Sequence, residues 1–330
     1  DCIRKTSVPG IFSKQRQRFL GIDLGSQAVK VVELRRQCNG FELESYAIEA
    51  MPTTGALYQT GPEPISVAQA LINALRKAGV QASNVVTALP DTHVICKAFE
   101  VEAGLTEDEL ELQVRLEAEQ CVPYSLEEAA LDFEVQGYCA SNPECVEVLL
   151  VACRLEELEW RQAVLLSAGL TVQVMDVQSH GLARSVERMM DSNRYALQHT
   201  PVAVVEFSAA TTMLSVHQQG KVIYARELLF GPASQAPSAF NAGAAEHLGR
   251  GLELFSQSAA GAEVGAIVLC GVAPSMPQLR CQIEHSLGVP THIGDPFAGM
   301  VLNPKLALDA LLCDAPLLLT ACGLALRGFD

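Results

Sequence analysis

Residues 19–34 read FLGIDLGSQAVKVVEL, and this stretch decides the fold of the chain. Apolar and β-branched residues fill Phe19–Ile22 and Val29–Leu34, whereas the residues between them are small or polar. Such runs are typical of strands, and a short small-residue segment between two of them is typical of a turn. The stretch therefore predicts two strands joined by a tight turn.

The turn carries side chains that could bind a phosphate. Asp23 ends the first strand, Gly25 and Ser26 lie in the turn, and Lys30 follows on the second strand. Glycine lets backbone N–H groups approach an anion, a hydroxyl and an ammonium add donors, and an aspartate can hold Mg²⁺ directly or through water. No Gly-Lys-Ser/Thr opens a helix here, so this is not a Walker A loop. Taken alone, the stretch fits an ordinary hairpin equally well.

A second stretch, residues 202–216, repeats the pattern with the sequence VAVVEFSAATTMLSV. A predicted third strand follows each copy, Phe41–Ile48 in the first and Val222–Leu229 in the second. The alignment of the two acids pairs Glu206 with Asp23, Ser208 with Gly25, and Thr211 with Ala28. This duplication at domain scale, too long for a solenoid repeat, predicts two sister α/β domains that offer one acid each to a shared cleft.

Composition excludes several classes of protein. Of the 330 residues, 49% are hydrophobic and 18% are charged, which is enough for a large core. The net charge of -15 argues against a nucleic-acid partner, which needs clustered Lys and Arg. The 11 cysteines are scattered without CxxC spacing and predict reduced thiols rather than disulfides or a zinc site. No long apolar run or signal-peptide pattern occurs, so we expect no transmembrane helix.

Residues 1–18 form a basic tail, in which Asp1 is the one acid. Its cations are Arg4, Lys5, Lys14, Arg16 and Arg18. We interpret the tail either as a leader or as a segment weakly attracted to an anionic membrane surface.

The remaining pattern predicts the domain boundaries. The first domain spans 19–200 and contains an insert at about 90–152 with the order strand, helix, strand, strand. The helix of the insert opens with a capping box formed by Thr106 and Glu109. A polar linker then leads to the second domain at 201–330.

The second domain has a weak pattern over part of its length. Only 35 residues separate Gly231 from Ile267, and Pro232–Ala245 shows little periodicity before a predicted helix at His247–Ser258. The family resemblance given below implies a longer segment here, so we expect only a reduced subdomain at about 231–265. A largely apolar helix at Leu317–Leu326 is expected to be buried.

The opening stretch and the duplication resemble the actin, Hsp70 and sugar-kinase ATPase superfamily. Within it the chain is identified as a member of the PilM family of type IV pilus assembly proteins, a relative of FtsA. The segments that carry this resemblance are Gly21–Leu34, Ala103–Leu110, Val122–Tyr124, Leu131–Gly137, Asp295–Met300 and Ala321–Asp330.

The resemblance implies an actin-like (ribonuclease H-like) α/β fold with an α+β insert subdomain. It implies a cytoplasmic scaffold, peripheral at the inner membrane, that binds the N-terminal tail of PilN and links the inner-membrane platform to the cytoplasmic machinery. Other assembly components, including cytoplasmic ATPases, and a homo-oligomer or ring are further expected partners. ATP with Mg²⁺ is the implied cofactor, with slow or undetected turnover.

The resemblance also assigns candidate site residues. The expected ATP-binding residues are Asp23, Gly25, Ser26, Ala28, Lys30, Glu206, Ser208, Thr211, Thr212, Gly271 and Val272, with Asp23 and Glu206 as Mg²⁺ ligands. Gly271 and Val272 follow a predicted strand, as in the adenosine loop of the superfamily, although a plain βα turn fits them too. The expected groove for the PilN tail consists of Leu89, Pro90, Val94, Ile95, Val122, Pro123 and Tyr124.

Three departures from the family pattern weaken the expected nucleotide site. The second turn reads Glu206-Phe207-Ser208 where the family has Asp-x-Gly, so Ser208 adds a Cβ where backbone should approach phosphate. The adenosine loop contains fewer glycines than usual, and the shortened second domain removes part of one wall. We therefore expect ATP binding to be weak or absent.

Two alternatives stay open. An active ATPase or small-molecule kinase would need a catalytic base, and we find no acid in a fitting context besides Asp23 and Glu206. A cell-division filament protein would need a C-terminal amphipathic membrane helix, whereas this sequence ends at Phe329-Asp330 on a helix expected to be buried. We predict no catalytic residue.

Overall fold

The structure, a computed structural model, describes residues 17–51, 63–139, 142–190, 200–234, 236–259, 262–274, 276 and 278–330. The basic tail up to residue 16 and residues 191–199 of the predicted linker lie outside the described residues.

The secondary structure follows the order expected for a duplicated α/β protein. The strands are β1 (Arg18–Leu24), β2 (Ala28–Gln37), β3 (Gly40–Ala50), β4 (Val85–Leu89), β5 (Val94–Glu102), β6 (Ala129–Tyr138), β7 (Cys145–Arg154), β8 (Val172–Val177), β9 (Val202–Phe207), β10 (Thr212–Gln218), β11 (Lys221–Leu228), β12 (Ala266–Gly271), β13 (Thr291–Ile293) and β14 (Val301–Leu302). The helices are α1 (Pro64–Ala78), α2 (Glu107–Cys121), α3 (Leu155–Ser167), α4 (Gln178–Met189), α5 (Pro237–Ser258), α6 (Leu279–Leu287), α7 (Leu308–Asp314) and α8 (Leu319–Arg327).

Two sheets repeat one topology. The first has the order β14-β3-β2-β1-β4-β8 and the second the order β11-β10-β9-β12-β13. In the first, β1 and β3 pair antiparallel with β2, and β1 pairs parallel with β4. In the second, β9 and β11 pair antiparallel with β10, and β9 pairs parallel with β12. The predicted duplication is therefore confirmed strand by strand.

The insert region forms a separate three-stranded sheet with the order β5-β7-β6. Its one α-helix among the described residues, α2, packs on one face of the sheet through Val114 and Ala118, as does Val122 directly after the helix. The predicted capping box is present, because Thr106 accepts a hydrogen bond from the Glu109 N–H and the Glu109 carboxylate accepts one from the Thr106 N–H. Thr106 thus fixes where the helix begins.

Helix α4 lies between the two sheets. Its residues Leu182, Val186 and Met189 pack in one cluster with Val204 and Val268 of the second sheet. The helix also contacts β4 and β8 of the first sheet. The cleft described below therefore opens where both sheets meet this helix.

The C-terminal segment packs on the first sheet, although the sequence assigned it to the second domain. Strand β14 pairs with β3, and α8 contacts β1, β2 and α4. A Cβ on Gly21 would lie 2.0 Å from the Ala321 carbonyl oxygen, and one on Gly323 would lie 1.7 Å from the Gly181 carbonyl oxygen. Only glycine permits backbones to approach this closely, so Gly21 and Gly323 hold α8 against the first half.

Helix α5 begins well before the predicted start at His247. Phe240, Ala244, Leu248 and Phe255 are buried and share one face of it. The small residues between them hide this spacing in the sequence, so the prediction of an irregular segment at 232–245 was wrong for most of its length. Among the described residues no single helix could span a membrane, and one bent pair, Leu308–Leu317 with Leu319–Arg327, passes that test by length and composition alone.

Candidate functional site

The two halves and the insert enclose a large open cleft with a volume of about 1980 Å³. The predicted ATP-binding residues that line it are Asp23, Gly25, Ser26, Ala28, Lys30, Glu206, Ser208, Thr211, Gly271 and Val272. The structure therefore brings both turns, and the loop after β12, to one place.

Thr212 is the predicted residue that the structure does not bring to the cleft. Its side chain is buried, and its hydroxyl donates a hydrogen bond to the Phe230 carbonyl oxygen at 2.6 Å. Leu214 and Val216, which share its side of β10, belong to the core of the second half. Strand alternation therefore turns Thr212 away from the cleft.

Equivalent backbone hydrogen bonds close the two turns. The Gly25 N–H donates to the Ala28 carbonyl oxygen at 3.2 Å, and the Ser208 N–H donates to the Thr211 carbonyl oxygen at 2.9 Å. The sequence alignment therefore pairs residues with equivalent places in the fold. Gly25 does not have a left-handed backbone, and a Cβ there would lie 3.2 Å from the Ala28 carbonyl oxygen, which is a close contact. This place in the turn therefore does not require glycine, and the second turn has Ser208 there.

Asp23 is held by two donors. The Lys30 Nζ lies 3.0 Å from Asp23 Oδ2, and the Gln178 Nε2 donates to Asp23 Oδ1 at 3.1 Å. Lys30 stands directly opposite Asp23 in the β1–β2 register, and Gln178 is the first residue of α4. Sequence reasoning missed Gln178; the signal was its place at the start of a helix that follows a strand of the same sheet.

Glu206 lies on the other side of the cleft and has a different environment. The residue opposite it in the β9–β10 register is Met213, which carries no charge. Burial raises the pKa of Glu206, and the negative charges of Asp23 and Asp91 raise it further against the opposing charge of Lys30. The second turn therefore presents its carboxyl group without a lysine of its own.

Lys30 contacts Asp23, and the charge of Glu206 also acts on Lys30. Burial lowers its pKa, but the charges of Asp23 and Glu206 and the hydrogen bond to Asp23 outweigh burial, so the net pKa is raised. Asp23, Lys30 and Glu206 thus form one electrostatic site that joins the two halves.

The loop after β12 packs against the second turn. Gly271 has a left-handed backbone with φ of 81°, and a Cβ there would lie 2.1 Å from the Phe207 carbonyl oxygen. The Val272 N–H donates to that same oxygen at 2.8 Å. Gly271 is therefore required by the close approach of the two backbones, whether or not a purine binds here.

The residues of the cleft fit a phosphate group better than a divalent cation. Ser26 and Thr211 supply hydroxyls and Lys30 supplies an ammonium, the donors that anionic oxygens accept. Both oxygens of Asp23, by contrast, already accept hydrogen bonds. In the part of the chain that the structure describes, no three His, Cys, Asp or Glu side chains converge as metal ligands.

The seven residues predicted for the PilN groove do not form one pocket. Ile95, Val122 and Tyr124 pack in the core between α2 and the insert sheet, and Leu89 is buried in the first sheet. Pro123 is exposed at the end of α2, and only Pro90 and Val94 line the cleft. Successive residues of a strand point to opposite faces, so Val94 and Ile95 cannot line the same groove.

The face of the insert sheet away from α2 lies toward the cleft. We call this surface the insert groove; its apolar residues are Pro90, Val94, Cys96, Ala98, Leu149 and Trp160, and its acidic residues are Glu134, Glu147, Glu156 and Glu157. Glu157 accepts hydrogen bonds from Arg161 at 2.9 Å and contacts the His93 Nδ1 at 2.8 Å. Arg161 also donates to the Ala88 carbonyl oxygen at 3.2 Å, so this network fixes the joint between the body and the insert.

Comparison with solved structures places this fold among known ones. The chain is similar, with 24% identity and a TM-score of 0.77, to a structure described as the PilM-PilN type IV pilus biogenesis complex, covering 96% of this chain and 99% of that one. This similarity, together with the duplicated sheets, confirms the predicted actin-like α/β fold.

Two other structures are more distant. The ethanolamine utilization protein EutJ from Carboxydothermus hydrogenoformans has 12% identity and a TM-score of 0.49, covering 94% of this chain and 89% of that one. A Bacteroides thetaiotaomicron protein described as having an actin-like ATPase fold and unknown function has 12% identity and a TM-score of 0.43, covering 92% and 98%.

A protein-family model described as type IV pilus assembly protein PilM matches residues 21–238 and 235–329, which is nearly the whole chain. The chain therefore belongs to the PilM family of type IV pilus assembly proteins.

Proposed function

We propose that the chain is a cytoplasmic scaffold of type IV pilus assembly, peripheral at the inner membrane, that binds the N-terminal tail of PilN. The observation that carries this proposal is the family match over nearly the whole chain. In the same proposal the scaffold links the inner-membrane platform to other assembly components, including cytoplasmic ATPases, and self-associates into an oligomer or ring.

The insert groove is the surface that we propose for the tail. It combines apolar and acidic side chains, and β5 is an edge strand of the insert sheet. An extended peptide can pair its backbone with an edge strand and place alternate side chains in apolar pockets. The four glutamates, and the net charge of -15, favour a tail that carries basic residues.

A peptide titration tests this surface. A labelled peptide with the PilN N-terminal sequence is titrated against the wild type and a Cys96→Asp, Ala98→Asp variant, in which both changes lie at exposed positions of β5. We expect at least a tenfold loss of affinity, because two carboxylates replace apolar contacts. The matched control is Leu112→Asp, whose side chain is 58% exposed on α2 across the insert, and it should bind within twofold of the wild type.

Equal affinity of the wild type and the β5 variant would remove the groove from the proposal. Loss of binding in the Leu112→Asp control instead would place the tail on the α2 side. Failure of the peptide to bind the wild type would contradict the scaffold proposal itself.

A second function, weak ATP binding, is favoured by the pair of matching turns around Lys30. Ser26, Lys30 and Thr211 would contact phosphate oxygens. We propose little or no hydrolysis, because the Asp23 carboxylate that could act as a base is already engaged by Lys30 and Gln178. Calorimetry with ATP should show weak binding; nanomolar affinity, or steady turnover lost in Asp23→Ala, would favour the alternative of an active ATPase.

A further inference from the structure

We propose that Lys30 takes the place of a divalent cation in this cleft, so that a phosphate-bearing ligand binds between the two turns without Mg²⁺. The proposal rests on the phosphate site proposed above for its ligand, but its metal part stands on the contacts that Asp23 makes with Lys30 and Gln178.

The first step is the contact between Lys30 and Asp23. The two groups are 3.0 Å apart, with the Asp23 side chain 4% exposed and the Lys30 side chain 15% exposed. Separating a buried ion pair leaves an uncompensated charge, which is strongly unfavourable. A metal ion can reach Asp23 Oδ2 as a ligand only by displacing this ammonium or by crowding a second positive charge beside it.

The second step concerns the other oxygen of the same carboxylate. Asp23 Oδ1 accepts the hydrogen bond from Gln178, which α4 holds at its first turn. Mg²⁺ requires near-ideal octahedral geometry and gives up its water molecules reluctantly. A carboxylate that is fixed at both oxygens by Lys30 and Gln178 is therefore a poor ligand for it.

The third step is the balance of charge across the cleft. Two carboxyl groups, Asp23 and Glu206, face one ammonium, because the residue that matches Lys30 in the second half is Met213. Lys30 contacts Asp23, and the charges of both Asp23 and Glu206 raise the pKa of Lys30. The ammonium held at Asp23 thus supplies positive charge between the two turns, which is the role that a bridging divalent ion would otherwise have.

The test uses the metal alone. Mn²⁺, a spectroscopically visible substitute for Mg²⁺, is titrated against the wild type, Lys30→Met and Lys30→Arg, and binding is followed by loss of the free-ion paramagnetic resonance signal. We expect no saturable site in the wild type or in Lys30→Arg, where a cation remains. Lys30→Met should gain a site, and the Lys30→Met, Asp23→Asn variant should lose it again.

Circular dichroism identifies variants that do not fold, and Lys30→Ala, which leaves no donor at Asp23 Oδ2, replaces Lys30→Met in that event. A stoichiometric Mn²⁺ site in the wild type that disappears in Asp23→Asn would overturn the proposal, as would the absence of any gain in a folded Lys30→Met or Lys30→Ala variant.

A separate titration of ATP, with Mg²⁺ or with a chelator, tests the ligand part. Affinities within about threefold of each other support the proposal, whereas binding only with Mg²⁺ overturns it. Absence of ATP binding under both conditions would instead reject the proposed phosphate site, while the Mn²⁺ result would still decide the role of Lys30.

Discussion

The two halves of the molecule share a sheet topology and differ in the side chains that they place in the cleft. One hydrogen bond of the same type closes each turn, from Gly25 to Ala28 and from Ser208 to Thr211. In the first half the carboxylate is paired with Lys30, whereas in the second half Met213 stands at the matching position. The duplicated strands therefore have the same arrangement in both halves, whereas the charged groups that give the cleft its chemistry lie mainly in the first half.

The largest expected effect comes from removing the paired carboxylate. Asp23→Ala leaves the Lys30 ammonium buried without its partner, so we expect the free energy of unfolding to fall by about 3 kcal/mol. Glu206→Ala, the matching change in the second half, should cost less than about 1 kcal/mol, because no lysine stands opposite it. Urea unfolding measures both variants. Equal losses in the free energy of unfolding would contradict the proposed difference between the two halves.

The glycines of the two halves should also differ. Gly271→Ala places a Cβ 2.1 Å from the Phe207 oxygen on a left-handed backbone, so we expect a loss of about 2 kcal/mol in the free energy of unfolding. Gly25→Ala meets its nearest atom at 3.2 Å without a left-handed φ and should cost less than about 1 kcal/mol. Thermal unfolding of the two variants checks this order, and a reversed order would contradict the described loop geometry.

Neighbouring threonines of the second turn should separate stability from binding. Thr212→Val removes the buried hydrogen bond to the Phe230 oxygen and should lower the free energy of unfolding by about 1 kcal/mol with no change in ligand affinity. Thr211→Val changes a residue of the cleft and should affect affinity more than stability. Calorimetry with ATP or inorganic triphosphate, paired with urea unfolding, measures both; a loss of affinity in Thr212→Val alone would contradict the side-chain directions on β10.

The smallest effect is a pH dependence from Glu206. Burial raises the pKa of this group above its ordinary value of 4.5, so the folded state holds the proton more tightly than the unfolded state. Ionisation of Glu206 therefore lowers stability as pH rises through the interval between the ordinary and the raised pKa. Glu206→Gln should be at least as stable as the wild type at neutral pH, and this advantage should disappear below the ordinary value. Urea unfolding of both proteins across this pH range tests the prediction. If the stabilities of the variant and the wild type did not converge at low pH, the raised pKa would be contradicted.

Sequence reasoning could predict features that depend on neighbours along the chain. The turn at Gly25, the capping box at Thr106 and the three-strand meanders all follow from local pattern. The opposition of Asp23 and Lys30 was also accessible, because a tight turn fixes the register of the strands that it joins.

The remaining features depend on contacts that no local pattern encodes. β14 has two residues and gains its place only by pairing with β3. Gln178 reaches Asp23 only because the sheet brings β8 beside β4 and β4 beside β1. The seven residues predicted for the groove were chosen by position along the chain, and the structure does not bring them together, because alternation on β5 turns Val94 and Ile95 to opposite faces.

A double-mutant cycle between Lys30 and Glu206 tests most directly whether the two halves share one electrostatic site. The free energy of unfolding is measured for the wild type, Lys30→Met, Glu206→Gln and the double variant. We expect a coupling energy of about 0.5 kcal/mol or more, since the charge of Glu206 raises the pKa of Lys30 across the cleft. Effects that add to within about 0.3 kcal/mol would show that the two turns do not meet around this lysine.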